Sequence, residues 1–499
     1  MNLESVQKTI ARIHSYGKPV DFARPFNSEE RRIGVGTGSF VKPPPYAVDN
    51  IDNTKLYILT CAHVIDEADQ VTIQIPLAGR EEIPATVLSF VPRYSFDLAL
   101  ISVDDPDGSL RDMIEYLQLG SSERLKQGDK LVALGFPMGQ RGLMTSDGVY
   151  SGFQHELQHT VPISPGNSGG PLVAFNNGRT EWVGVNTSGI TDVRASNIGY
   201  AVPIEYFKLS EPTLFSQQTG PPGPQRVFRR PSFGLMLQES TGAQIKVENN
   251  GANCCKQGMY VFEVDPKSPA AKKGVVSGDY LCQIDNMKVD NRGEVRVSWN
   301  QQPVPVKAAL NRMTDTNKQY KLRVWKTKLG KCQDLNIAPA RLHRGALKFL
   351  YPPYDSVDYV AVGGVVMMQL RMNHALIPAT LRSFAELSPK ERRYAHVVVT
   401  HIVPGTEADK SNILKQSDII ISVNGSPVKT LKHVRNALSN PLEKNNVKFV
   451  EIKSKQNKKL ILLLKDVVKE DLKLKELGVY NPENGIIKLY TKVTKVIDR

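Results

Sequence analysis

A histidine, an aspartate and a serine follow one another along this chain, each inside a short motif. His63 lies in Thr60-Cys61-Ala62-His63-Val64, Asp97 in Ser95-Phe96-Asp97-Leu98-Ala99-Leu100, and Ser168 in Ser164-Pro165-Gly166-Asn167-Ser168-Gly169-Gly170-Pro171-Leu172. A serine hydroxyl is a poor nucleophile at neutral pH, so it needs an adjacent base, and the base needs an orienting carboxylate. Together the three residue types suit acyl transfer through Ser168. The glycines around Ser168 have their own reason. That turn must aim two backbone N–H groups at one spot, where side chains would block an incoming carbonyl. Each motif alone is a weak signal; the three in this order within one domain's length are a specific one. Because the base must be neutral, activity is expected to rise with pH through about 7.

Other candidates for chemistry are poorer. His155 and His159 are four apart, but on a strand-like segment that spacing does not converge on one metal. Adjacent Cys254-Cys255 lacks the ligand spacing of a zinc site. Met367-Met368 reads as core packing. No metal and no cofactor is expected.

The elements that must position these residues are short. Residues 1–210 read as many β-strands between Gly/Pro/Asn turns, among them Leu56–Thr60, Val71–Ile75, Leu98–Val103, Leu131–Leu134 and Trp182–Val185. That pattern suits an antiparallel barrel or sandwich, and a chymotrypsin-like double barrel needs about this many residues. The polar stretch from Lys42-Pro43-Pro44-Pro45-Tyr46 to Lys55 reads as an exposed loop. At 499 residues the chain has room for about three domains.

Charge is unevenly spread. Residues 1–210 hold 18 Lys/Arg against 24 Asp/Glu, a net of −6; the remainder holds 46 against 26, a net of +20. A lysine-rich solvated surface explains the basic half, and no nucleic-acid-binding motif accompanies it. No apolar run approaches the roughly 18 residues of a membrane span, and the first thirty residues lack a secretory pattern. Five cysteines (61, 254, 255, 282 and 332), an odd number without ordered spacing, suit a reducing compartment better than a disulfide framework. These points predict a soluble intracellular protein, of cytoplasm or nucleus, with an organelle as the other option.

Ser216 to Pro224, rich in Pro and Gly, reads as a linker. After it one pattern occurs twice: first from Gly258 through Gly278-Asp279 to Asn286, then from His396 through Ser417-Asp418 to Gly425. Each copy has a strand, a small-residue helix start, a Gly/Ser-Asp turn, a second strand and an Asn-containing hairpin tip, an internal repeat of a small domain.

These motifs, with the GFPMG, GVNTSG and NIGYAVP segments, resemble the protease domain of the HtrA/DegP family, and the repeats resemble its PDZ domains. Tyr359-Val360-Ala361-Val362-Gly363-Gly364-Val365-Val366 is similar to Deg-like proteases of plants, fungi and protists. The resemblance covers nearly the whole chain. It implies a mainly β fold, a chymotrypsin-like double β-barrel followed by two α+β PDZ domains. Its boundaries here are a protease domain over 1–212, a linker over 213–230, PDZ domains over 231–335 and 336–465, and a basic extension over 466–499. It implies an ATP-independent serine endopeptidase acting on misfolded or exposed polypeptide, assembled as a trimer or a trimer-based oligomer. Nucleic acid is not an expected partner.

Residue by residue, the resemblance makes Ser168 the nucleophile, His63 the general base and acid, and Asp97 the group that fixes its tautomer. Gly166, Asn167 and Ser168 form the oxyanion turn, with the N–H groups of Gly166 and Ser168 as donors. Ile163, Asn186, Thr187 and Ser188 line the specificity pocket, which implies cleavage after small aliphatic residues. Phe233, Gly234, Leu235 and Met236 form the carboxylate-binding loop of the first PDZ domain, and Gly363-Gly364-Val365-Val366 is its poorer counterpart in the second. Where the family commonly has Asp-Ala-Ala-Ile-Asn, this chain reads Thr160-Val161-Pro162-Ile163-Ser164, a difference that bears on regulation more than chemistry. A reading of another class is a latent, protease-derived scaffold that binds peptides through its PDZ domains.

Overall fold

The computed structural model describes residues 7–27, 30–45, 54–79, 81–176, 179–189, 198–216, 223, 226–248, 253–342, 347–388 and 390–482. It forms two compact units, Met1–Gly17 with Ile33–Leu342, and Lys18–Arg32 with His343–Arg499. Most of the expected linker, residues 217–222 and 224–225, lies outside the described residues.

Six strands form the first barrel: β1 Ile10–Gly17, β2 Arg32–Val41, β3 Lys55–Thr60, β4 Gln70–Gln74, β5 Ile83–Val91 and β6 Leu98–Asp104. They close in the order β1-β2-β3-β6-β5-β4. At its centre β6 is buried from Leu98 to Val103, which is why the sequence there is an almost unbroken apolar run. The second sheet holds β7 Gln118–Leu119, β8 Lys130–Gly135, β9 Met144–Phe153, β10 Leu157–His159, β11 Pro171–Asn176, β12 Arg179–Gly189 and β13 Gly199–Pro203. Six of these close through the β11–β12 pairing, and β7 lies parallel on the outer edge of β12. The two barrels match the chymotrypsin-like expectation.

The first PDZ domain contains β14 Leu235–Gln238, β15 Met259–Val264, β16 Tyr280–Ile284, β17 Met287–Lys288, β18 Glu294–Val295, β19 Val304–Pro305, β20 Tyr320–Lys326 and β21 Lys331–Ile337. Its core gathers Phe233, Val261, Leu281, Ile284, Val306, Leu322 and Val324. Outside this core, Cys254 is bonded to Cys332 and Cys255 to Cys282. The expectation of free thiols is therefore wrong for four of the five cysteines. Adjacent cysteines side by side in sequence diverge to different strands, with Cα separations of 6.3 and 5.5 Å across the two bridges. Only Cys61 is free.

In the second unit lie β22 Tyr359–Val362, β23 Val365–Gln369, β24 Val397–Ile402, β25 Ile419–Val423, β26 Ser426–Pro427, β27 Leu442–Lys444, β28 Val447–Ser454 and β29 Lys459–Leu463. The helix Leu464–Glu476 follows directly. It lays Leu464, Val467 and Val468 into the same core as Val360 and Val362, a three-and-four spacing that puts them on one helix face. Phe22, from the β1–β2 connection, packs with Leu350 and Met368 of this unit.

Candidate active site

Strand register brings the histidine to the aspartate. Thr60, the last residue of β3, pairs with Ala99 near the start of β6. His63, three residues beyond Thr60, and Asp97, two residues before Ala99, therefore emerge at the same end of the antiparallel pair. His63 sits in the one-turn helix Ala62–Ile65, and Asp97 has a left-handed φ of 54°. Asp97 accepts twice from His63: Oδ2 lies 2.7 Å from Nδ1, and Oδ1 takes the backbone N–H at 2.9 Å. Such a pair fixes the ring and leaves Nε2 as the atom that can take a proton.

Ser168 arrives from the second barrel on a turn held by the first. Thr37, on β2 and fully buried, donates its backbone N–H to the Ser168 carbonyl at 2.9 Å. Its hydroxyl donates to the Gly166 carbonyl at 2.6 Å and accepts from the Phe136 N–H at 3.2 Å. Removing that hydroxyl leaves two buried groups unpaired, at about 1–3 kcal/mol each. The sequence reading missed Thr37, whose only local signal is a threonine between two glycines. Gly166 has φ +101°, and a Cβ there would stand 2.1 Å from the Phe136 carbonyl oxygen, so glycine is required.

The two amides proposed for an oxyanion, those of Gly166 and Ser168, donate to no group among the described residues. Asn167 differs: its N–H is spent on the Ser164 carbonyl at 3.0 Å, so Asn167 shapes the turn without serving as a donor. Ser168 Oγ donates to the Thr187 carbonyl at 2.8 Å.

Of the expected pocket residues, Ile163 is half-buried against the second-barrel core. Thr187 is buried, with Oγ1 donating to Tyr200 O at 3.1 Å and to Glu156 Oε2 at 3.3 Å. Asn186 is fully buried, and its Nδ2 donates to the Pro171 carbonyl at 3.2 Å, so its side chain braces the serine turn. The side chain of Ser188 lies outside the described residues. Two carboxyls near the pair were not foreseen. Burial, then Glu67 and Asp97, pushes Asp66 up to about 7; burial, then Asp97, raises Glu156.

Cys61 Sγ, His63 and Asp97 lie within 4.8 Å of one another. A metal does not suit them. Burial and the Asp97 charge push the Cys61 thiol well above its ordinary range, and the His63 nitrogen on that side already faces Asp97. His159 is buried within β10, where burial lowers it to about 4, whereas His155 lies in the exposed turn before it.

In the first PDZ domain Gly234 has φ +80°, and a Cβ would meet Ser268 Cβ at 2.1 Å. Phe233 is buried edge-on to Tyr320, with ring centroids 5.8 Å apart, so its side chain belongs to the core while its backbone shapes the loop. The Gly234 N–H has no acceptor among the described residues. In the second PDZ domain the equivalent loop is occupied. Asp471 Oδ1 accepts from the Gly363 N–H at 2.8 Å, and Tyr480 Oη from the Gly364 N–H at 3.0 Å.

A trypsin-like peptidase domain model matches residues 36–185, and a PDZ domain model matches 232–299 and 383–450. The periplasmic serine endoprotease DegP of Escherichia coli (strain K12) is 26% identical over 399 residues, covering 78% of this chain and 70% of that protein. The chain carries a trypsin-like peptidase domain followed by two PDZ domains and has HtrA/DegP serine endoproteases as homologues. The putative serine protease HhoA of Synechocystis is 29% identical over 54% of this chain and 64% of its own length. A probable periplasmic serine protease do/HhoA-like protein of Haemophilus influenzae is 29% identical over 49% and 50%. The solved HtrA-type protease AlgW with a decapeptide aligns with a TM-score of 0.47 at 21% identity, covering 67% of this chain and 95% of that one.

The peptidase-domain match and these relatives make the protein a serine-type endopeptidase. They also correct one expectation. Two of these relatives are named periplasmic, which counts against cytoplasm or nucleus, as do two disulfides, bonds that persist in oxidising compartments. No described helix is long and apolar enough to cross a membrane.

Proposed function

We propose that this endopeptidase works through Ser168, His63 and Asp97, and that it degrades exposed or misfolded polypeptide without ATP. Ser168 Oγ leaves the Thr187 carbonyl, turns to His63 Nε2 and attacks the scissile carbonyl as the imidazole takes its proton. The tetrahedral oxyanion is met by the Gly166 and Ser168 amides. The imidazolium then protonates the leaving amine, and water, with His63 again as base, hydrolyses the acyl-enzyme. The observation that carries this reading is the His63–Asp97 pair at 2.7 Å beside a serine turn whose two amides have no acceptor among the described residues.

Cleavage after small aliphatic residues, with Ile163 in the pocket, is part of the same proposal. The first PDZ domain is proposed to capture C-terminal peptides at Gly234 and β14, and the assembly to be a trimer or a multiple of one. Casein digestion by wild type and Ser168→Ala, with and without an added C-terminal peptide, tests it. The variant should lose activity by about 10⁵-fold or more, and the peptide should change only the wild-type rate. Equal digestion by the two proteins removes Ser168 from the mechanism.

A further inference from the structure

The Gly166 N–H can serve an oxyanion only if the Pro165–Gly166 peptide faces one way. In a planar trans peptide the C=O and N–H point in opposite directions. The Pro165 carbonyl accepts from the Met138 N–H at 2.5 Å, so the Gly166 N–H points away from Met138, where no described group accepts from it. Flipped, the same peptide would present its carbonyl oxygen where negative charge must be received.

What holds Met138 in place is therefore part of the reaction's geometry. Met138 has φ 53° and Gly139 φ 69°, two successive left-handed residues, one of them bearing a Cβ. That conformation costs free energy and needs outside support. Two ties are local, from the Gly139 N–H to the Phe136 carbonyl at 3.1 Å and from the Gln140 N–H to the Pro137 carbonyl at 3.0 Å. A third comes from the opposite barrel: Arg12 Nη2, on β1, donates to the Gly139 carbonyl at 2.6 Å. Arg12 Nη1 reaches Gln74 Oε1 on neighbouring β4 at 3.2 Å, which aims the guanidinium at the loop.

We propose that Arg12 is a positioning residue for the oxyanion site, acting through Gly139, Met138 and the Pro165 carbonyl on the Gly166 amide. The proposal rests on the assignment of Ser168 as nucleophile. Arg12 touches neither substrate nor the reacting atoms. Its cation holds a carbonyl, and that carbonyl holds a turn.

The test compares full-length wild type, Arg12→Met and Arg12→Lys with one peptide substrate. Two ligands accompany it: a peptide boronate, whose boron bonds to Ser168 Oγ and places a hydroxyl at the oxyanion position, and the cleavage-product peptide. Deleting an oxyanion donor outright costs about 100- to 1000-fold in rate; misaiming one is expected to lower kcat of Arg12→Met by about 10- to 100-fold. KM should stay within about twofold, boronate affinity should fall with kcat, and product-peptide affinity should hold. Arg12→Lys, which keeps one donor for Gly139, should fall between. Wild-type kcat and boronate affinity in both variants overturn the proposal, as does equal weakening of boronate and product. If Arg12→Met does not fold, the Arg12→Lys boronate-to-product ratio decides alone. Failure of the underlying assignment looks different: Ser168→Ala would then retain activity, whatever the Arg12 variants do.

Discussion

The two PDZ domains start from one sequence pattern and end with different edges. In the first, β14 pairs only with β15 among the described residues; in the second, the equivalent β23 has β24 on one side and β22 on the other. Strand β22 runs antiparallel along β23 from Tyr359↔Met368 to Val362↔Val365, with Val360 and Val362 buried in one core with Val434 and Leu438 of the neighbouring helix Leu431–Leu438. A peptide that joins a PDZ sheet adds a strand at this edge and delivers its carboxylate to the loop amides. In the second domain β22 pairs along this edge and Asp471 accepts from the Gly363 amide, whereas in the first the outer edge of β14 has no strand partner among the described residues.

The largest effect expected from this contrast concerns the disulfides, which only the first PDZ domain has. Cys254 and Cys332 close a loop across a sequence separation of 78, and such a bridge contributes about 2–4 kcal/mol. Cys254→Ser with Cys332→Ser should lower the unfolding free energy of the first domain by that amount, read as an earlier midpoint in urea titrations, and leave the second unmoved. A shift in the second domain instead would break the comparison.

Next comes the same substitution in both glycine turns. Gly234→Ala drives a Cβ into Ser268 at 2.1 Å, and Gly364→Ala drives one into Thr406 at 2.5 Å, both at φ +80°. Each costs of order 1–3 kcal/mol. In the first domain this should appear as C-terminal peptide affinity weakened by about tenfold, since each 1.4 kcal/mol is tenfold. In the second it should appear as lost stability with no change in peptide binding. Calorimetric peptide titration of the two full-length variants separates the cases.

The smallest effect is a pH dependence. Burial pushes the Asp471 carboxyl up to about 7, opposed by its hydrogen bonds from Tyr480 and Gly363 and reinforced by Glu470. A carboxyl raised in the folded state contributes stability that is full below its unfolded value of about 4 and is lost as pH rises through about 7. The thermal midpoint of the second unit, measured against Asp471→Asn, should therefore fall from pH 4 to 8 in wild type relative to the variant. A constant difference across that range would show that Asp471 is ionised throughout.

The sequence made legible whatever is local. Three short motifs around His63, Asp97 and Ser168 pointed to one chemistry, and the turn glycines pointed to its geometry, because both are properties of a few neighbouring residues. Short strand-like runs between turn residues likewise pointed to an antiparallel barrel or sandwich, and a recurring pattern pointed to the repeated small domain. The supports were hidden because they cross the chain. Arg12 and Gly139 are 127 residues apart, Thr37 and Gly166 are 129 apart, and Gly363 and Asp471 are 108 apart. No spacing rule reaches so far. The expectation of reduced cysteines failed for a related reason: Cys254 and Cys255 are neighbours in sequence, yet each is bonded to a distant strand that the fold brings near.

The central claim is that Ser168 is the nucleophile beside His63. It is tested most directly by treating the full-length protein with a fluorophosphonate and mapping the adduct by tandem mass spectrometry. A single adduct on Ser168, absent from Ser168→Ala and strongly slowed in His63→Ala, is the result predicted here. Labelling at another residue, or undiminished labelling in either variant, would contradict it.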